Sequence, residues 1–291
     1  MKWSLGFLAL ACFAQGEPSL LLEKKMLVQI EKADAALDGV LGVAAIDLET
    51  GRVISYNGGT AFPQASSIKI PIMMAMFESA REARFPFTGK LTLTEKDVAG
   101  GSGHLNALIA KAPHTLTVLD LVTAMIETSD NTATNKCIAM AGMDRVNRIL
   151  NRLGLANTRL QRIMMDTAAA AADRENISTP LEMARMVEMI YRGTAAHPDD
   201  CRKMLEIMSL VKGGMRKAVP AEVAISSKTG SVTGVRCETG VIKLPGRPFV
   251  LSVTSTFLGS QQINPVEEVT RIVYHYFERL SRANRYGHQV Q

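Results

Sequence analysis

The sequence predicts an α/β fold: an antiparallel sheet flanked by helices and formed by both chain ends, with an all-helical domain inserted between them. Three observations carry this. Strand-like segments lie near both ends, the long middle follows the helical period, and the strand candidates are joined by short turns, which forces antiparallel pairing. With 291 residues, 47% hydrophobic and 21% charged, the chain has ample core for one large domain or two interleaved ones, and disorder and collagen-like repeats are excluded. The net charge of +5 is spread along the chain, so neither nucleic acid nor a membrane surface is needed to explain it.

The first residues read as an export signal. Lys2 supplies the charge, Trp3 to Phe13 the apolar stretch, and Ala14 and Gly16 the small residues before cleavage. The expected location is therefore secreted or periplasmic. Lipid anchoring through Cys12 is the weaker alternative, because Ala9-Leu10-Ala11 lacks the expected Leu at its first position.

Leu20 to Leu37 is amphipathic, with Leu22, Met26, Ile30 and Ala33 on one face. Val40–Asp47 and Arg52–Tyr56 form a hairpin around Glu49-Thr50-Gly51. Thr117 caps a helix, with Asp120 completing a capping box, and Val118, Leu121, Val122, Met125 and Ile126 follow the helical period. Val146, Ile149, Leu150 and Leu153 do the same until Gly154. Pro180 opens a helix through Met183, Met186, Val187 and Ile190. Strands return at Val223–Ser227, at Gly240–Leu244 and at Phe249–Phe257, the last two flanking Pro245-Gly246-Arg247-Pro248. Asn264 caps the last helix, with Pro265 first and Glu267 three residues after the cap. The predicted divisions are a leader 1–16, a sheet domain 17–60 plus 212–285, a helical domain 61–211 and a tail 286–291.

The cysteines are Cys12, Cys137, Cys201 and Cys237. Loss of Cys12 with the leader leaves an odd number, hence at least one free thiol. No C-x-x-C or H-E-x-x-H spacing exists, so neither a metal nor another cofactor is expected. The chain is expected to be a monomer.

Three short motifs carry chemistry: Ser66-Ser67-Ile68-Lys69, Ser129-Asp130-Asn131 and Lys228-Thr229-Gly230. A Ser hydroxyl is a poor nucleophile until a neighbour takes its proton. Three residues apart at a helix start, Ser66 and Lys69 share a face. A second cation such as Lys228 lowers the Lys69 pKa towards that of a base. Ile70, Ile72, Met73, Met76 and Phe77 mark the helix that follows as largely buried.

Each motif alone is weak, but all three in this order are specific, and from about Leu22 to Phe277 the chain resembles the class A β-lactamases and related penicillin-recognising serine hydrolases. The resemblance implies a β-lactam as small-molecule partner and roles for the matching residues. Ser66 is the nucleophile, Lys69 its base, and Ser129 relays a proton to the leaving nitrogen. Asn131 bonds the substrate's side-chain amide. The Ser66 and Ser231 N–H groups form the oxyanion hole. Lys228, Thr229 and Arg236 bind the substrate carboxylate, and Gly230 lets substrate approach the backbone. His104 falls where relatives carry an aromatic residue gating the cleft, and Asp130 holds a turn.

The resemblance fails at one point. Class A enzymes carry a Glu, followed three and four residues later by Leu and Asn, that activates the deacylating water. Here Leu160 to Ala168 lacks that pattern, and Asp166 is the nearest carboxylate. Asp173 and Glu175 are further candidates, or pair with Arg162 to close the loop. Three functions follow: a hydrolase opening the β-lactam ring, a penicillin-binding D,D-peptidase, or a receptor that stays acylated.

Overall fold

The computed structural model describes residues 17–259 and 264–289. The predicted leader, with Cys12, and residues 290–291 of the tail lie outside these.

Five strands build the main sheet: β1 (Val40–Asp47), β2 (Val53–Tyr56), β3 (Ala224–Val232), β4 (Val235–Lys243) and β5 (Phe249–Thr256). Their order is β2-β1-β5-β4-β3, every pair antiparallel. The two chain ends meet where β1 pairs β5, with Val43 opposite Val253. The β1–β2 turn is locked by Asp47, whose Oδ1 accepts the Glu49 amide at 3.0 Å, and Gly51 supplies a left-handed φ of +74°.

Because side chains alternate along a strand, β1 feeds two cores. Leu41, Val43 and Ala45 pack with the terminal helices α1 (Pro18–Ala35) and α6 (Pro265–Ser281), where Phe249 stacks on Phe277 at 4.1 Å. Ala44 and Ile46 pack on the other side against the inserted helices. There α2 (Lys69–Arg81) is central, with ten of its 13 residues buried. Beside it lie α3 (Val118–Glu127) and α4 (Asn131–Ala141), while α5 (Pro180–Tyr191) packs on β1, β4 and β5. The Thr117–Asp120 capping box forms in both directions, and Asn264 Oδ1 accepts the Val266 amide to start α6.

Three differences from the sequence reading matter. The strand expected at Val223–Ser227, just before Lys228, runs on to Val232, placing the whole third motif on edge strand β3. The strand expected at Gly240 begins at Val235, because its polar start pairs with that extension. The inserted region carries two short ribbons besides its helices: Phe62–Pro63 with Ile177–Ser178, and Lys90–Leu93 with His114–Thr117. Cys137, Cys201 and Cys237 are free and buried.

Candidate active site

Ser66 sits on a single 3-10 turn, Ala65–Ile68, that feeds directly into α2. Ala65 takes a left-handed φ of +41°, a strained conformation for a residue with a side chain. Ser67 is buried, its Oγ 3.3 Å from the Lys228 carbonyl. Ser66 is half-buried, and among the described residues no hydrogen bond holds its Oγ.

Gly230 explains how β3 reaches this turn. A side chain there would meet Cys237 Sγ, lie 2.6 Å from the Gln64 carbonyl oxygen and 3.0 Å from the Ser66 nitrogen. That space is filled by the protein itself, so the glycine admits the nucleophile turn rather than a substrate.

Lys69 is fully buried. Its Nζ lies 2.7 Å from the Ser129 carbonyl, 3.1 Å from Ser129 Oγ and 2.9 Å from Asn131 Oδ1. Burial, and then the Lys228 charge, hold its pKa well below the usual lysine value, against the opposing pull of Asp130 and Cys137. Lys228 Nζ donates to the Thr229 carbonyl at 2.9 Å, and burial lowers its pKa to about 8. The first two motifs thus converge on one ammonium group, and the third supplies a second cation close enough to depress it.

Asp130 is the structural residue expected. Fully buried, it caps α4 through the Ala133 amide at 2.9 Å and accepts the Leu105 amide at 2.9 Å. This ties the Gly100–His104 loop to α4, helped by the Asn131 amide on the Ser102 carbonyl at 3.0 Å. Ser129 pays for the tight turn with a φ of +56°. His104 is exposed, its Nδ1 3.1 Å from Thr128 Oγ1, beside Ser129.

Thr229, Ser231 and Arg236 line a common cleft at the end of the sheet. Arg236 stands opposite Ser231 in register and donates Nη1 to the Ser231 hydroxyl, so the hairpin brings this cation back alongside β3.

The loop after Leu160 is closed by Arg162 and Glu175, whose carboxylate accepts two guanidinium bonds at 3.0 and 2.9 Å. Of the two expectations for Glu175, loop closure is the one observed. Asp173 is exposed, with a left-handed φ of +58°. Asp166 caps the short helix Thr167–Ala171, its Oδ1 accepting the Ala169 amide at 2.9 Å. The loop residue gripped by α4 is instead Met164: Asn135 accepts its amide at 2.7 Å and donates to its carbonyl at 3.1 Å. Met164 is buried and apolar.

Two residues escaped the sequence reading. Asn135 lies one helical turn beyond Asn131, a spacing that places both on one face of α4. Glu238 is a buried carboxylate on β4, and its signal was the one acidic residue of that strand, beside Arg236 and Thr239. Among the described residues no cluster of three or more His, Cys, Asp or Glu side chains could hold a metal ion.

Comparison with known proteins follows the same geometry. The profile of the Beta-lactamase enzyme family matches residues 25–277. Beta-lactamase ROB-1 of Haemophilus influenzae is 28% identical over 245 residues, covering 81% of this chain and 79% of its own. The crystal structure of beta-lactamase from Sphaerobacter thermophilus DSM 20745 superposes with a TM-score of 0.81 at 30% identity, covering 88% of this chain and 97% of that one. The structure of PBP-A superposes with a TM-score of 0.79 at 25% identity, covering 87% and 96%.

Proposed function

The chain belongs to the beta-lactamase enzyme family, and on that premise we propose that it is a serine hydrolase that opens the β-lactam ring through an acyl-enzyme on Ser66. The supporting observation is the convergence of the three motifs: Lys69 bonded to Ser129, and Gly230 pressed against the Ser66 turn.

Ser66 Oγ attacks the lactam carbonyl carbon while its proton passes to Lys69, whose pKa burial and the Lys228 charge hold well below the ordinary lysine value. The Ser66 and Ser231 N–H groups bind the oxyanion, such donors contributing about 3 kcal/mol each to the transition state. The carbon–nitrogen bond then breaks, and Ser129, bonded to Lys69, delivers the proton to the leaving ring nitrogen. Lys228, Thr229 and Arg236 hold the substrate carboxylate and Asn131 its side-chain amide. Gly230 sets the distance of β3 from the nucleophile, and His104 borders the cleft beside Ser129. Asp166 is the base for the deacylating water; its Oδ1 accepts the Ala169 amide, and among the described residues no hydrogen bond holds its Oδ2.

One observation favours a second reading, a D,D-peptidase or a receptor that remains acylated: the loop position gripped by Asn135 carries Met164 and no carboxylate. Export through residues 1–16 and a monomeric state complete the proposal; the leader pattern of Lys2, Trp3 to Phe13, Ala14 and Gly16 supports the first.

The test is Ser66→Ala. It should abolish covalent labelling by a fluorescent penicillin while the circular dichroism spectrum stays that of wild type. Label persisting on the variant means another serine is the nucleophile.

A further inference from the structure

Asn176 takes no part in the steps above, yet it is 1% exposed and bonded through both its side chain and its main chain. Its Oδ1 accepts the Gln161 amide at 2.7 Å and the Arg162 amide at 3.1 Å, and its Nδ2 donates to the Arg162 carbonyl at 3.1 Å. Its own amide donates to Glu175 Oε1 at 2.7 Å, the carboxylate that also holds the Arg162 guanidinium. Two consecutive residues thus grip Arg162 by backbone and side chain, and close the neck of the loop that carries Asp166. The carbonyl of Asn176 accepts the Gln64 amide at 2.9 Å. Gln64 is fully buried, and its own carbonyl accepts the Ser67 amide at 2.8 Å, closing the turn on which Ser66 sits. One residue therefore holds the loop by its side chain and the nucleophile turn by its carbonyl. We propose that Asn176 is a positioning residue that fixes the loop carrying Asp166 against the turn carrying Ser66, so that the deacylating base keeps its place relative to the acyl-enzyme.

The turn has further anchors that do not involve the Asn176 side chain. Cys237 Sγ donates to the Gln64 carbonyl at 3.1 Å. Gln64 Nε2 donates to the Phe62 and Ser178 carbonyls, each at 3.2 Å, and so ties together the two strands of the short ribbon beside it. The loop has fewer. Beyond its neck, α4 holds it through the two bonds of Asn135 to Met164. The two chemical steps therefore depend on Asn176 unequally. Acylation uses Ser66, Lys69 and Ser129, none of which is bonded to the Asn176 side chain. Deacylation uses a carboxylate on the loop itself. Removing the side chain releases Gln161 and Arg162 but leaves the main-chain bond to Gln64, so the base shifts while the nucleophile stays. A displacement of about 1 Å in a catalytic group costs about 100-fold in rate.

This inference rests on the proposed function for its consequence in catalysis, but its first test uses no substrate. Amide hydrogen exchange is followed by NMR in wild type and Asn176→Ala. The Gln161 and Arg162 amides should exchange about tenfold faster in the variant, as loss of a hydrogen bond allows. The Gln64 and Ser67 amides should stay protected. With a chromogenic cephalosporin, stopped-flow acylation should remain close to wild type, while deacylation falls about 100-fold. Equal losses in the two steps overturn the proposal, as does unchanged deacylation or unchanged exchange at Gln161 and Arg162. Should the Ala variant not fold, Asn176→Asp keeps the acceptor and loses only the Nδ2 donor. It should show the same selective loss of deacylation to a lesser degree, and unchanged deacylation in it overturns the proposal equally. A wild type that no β-lactam acylates, or that never clears the adduct, refutes the functional reading, while the exchange rates still decide whether Asn176 fastens the loop.

Discussion

Lys69 Nζ lies 2.7 Å from the carbonyl oxygen of Ser129 and 3.1 Å from its hydroxyl. With Asn131 Oδ1 at 2.9 Å, three oxygens face one nitrogen. An ammonium satisfies all three, but a neutral amine has two protons and one lone pair. Of the three oxygens, only the Ser129 hydroxyl can reverse and donate. When Lys69 is neutral, the Ser129 proton therefore points at it, and the two residues form a single path along which a proton moves.

Lys69→Ala should for this reason slow acylation far more than it weakens initial binding, a lost general base costing a factor of about 100 to 10,000. Stopped-flow measurement of acylation against substrate concentration separates the two quantities. Equal losses in both would make Lys69 a positioning cation.

Arg236→Ala should raise KM for a β-lactam carrying a carboxylate, with kcat little changed, because it removes a charge-assisted hydrogen bond worth roughly 1.5–3 kcal/mol. Unchanged KM would return Arg236 to the solvated surface and leave its bond to the Ser231 hydroxyl as its whole role.

Lys228 should make the fold less stable than it would otherwise be. Its pKa falls from 10.5 unfolded to about 8 folded, a difference worth roughly 3 kcal/mol. Between these values the unfolded chain binds a proton that the folded chain does not, so stability rises with pH across that window. Cys237 acts oppositely from 9.0 upward, because its folded pKa of about 11 lies above its unfolded one. The clean interval is thus pH 8 to 9. Wild-type urea midpoints should climb more steeply there than below it. Lys228→Met should abolish that steepening and raise the midpoint at pH 7, while losing activity. A variant no more stable than wild type would contradict the burial argument.

Asp166→Asn should acylate nearly normally and then stall, so that intact-mass spectrometry shows the drug adduct accumulating while wild type clears it. If the variant clears the adduct as fast as wild type does, the base lies elsewhere, and Asp173 is next in line, since Glu175 is engaged with Arg162.

Several elements were legible because their signals are local. Gly51, the Thr117–Asp120 box and Asn264-Pro265 each act within a few residues of themselves. The three motifs were legible because Ser66, Ser129 and Lys228 need specific residue types. What escaped depends on distant chain. The strand read as Val223–Ser227 stopped short because the residues after it are largely polar, yet β4 pairs with them through Val232. Gly230 read as room for substrate because nothing local indicates that Gln64 and Ser66 fill the space. The grip of Asn135 on Met164 crosses 29 positions of sequence, beyond any local pattern.

The central claim, turnover through a Ser66 acyl-enzyme, is tested most directly by mixing purified wild-type protein with excess chromogenic cephalosporin and recording absorbance from the first milliseconds. The account predicts a steady release of product that continues through many equivalents per active site and disappears in Ser66→Ala. A burst of one equivalent with no further turnover would contradict it, and would show that the acyl-enzyme forms and stays.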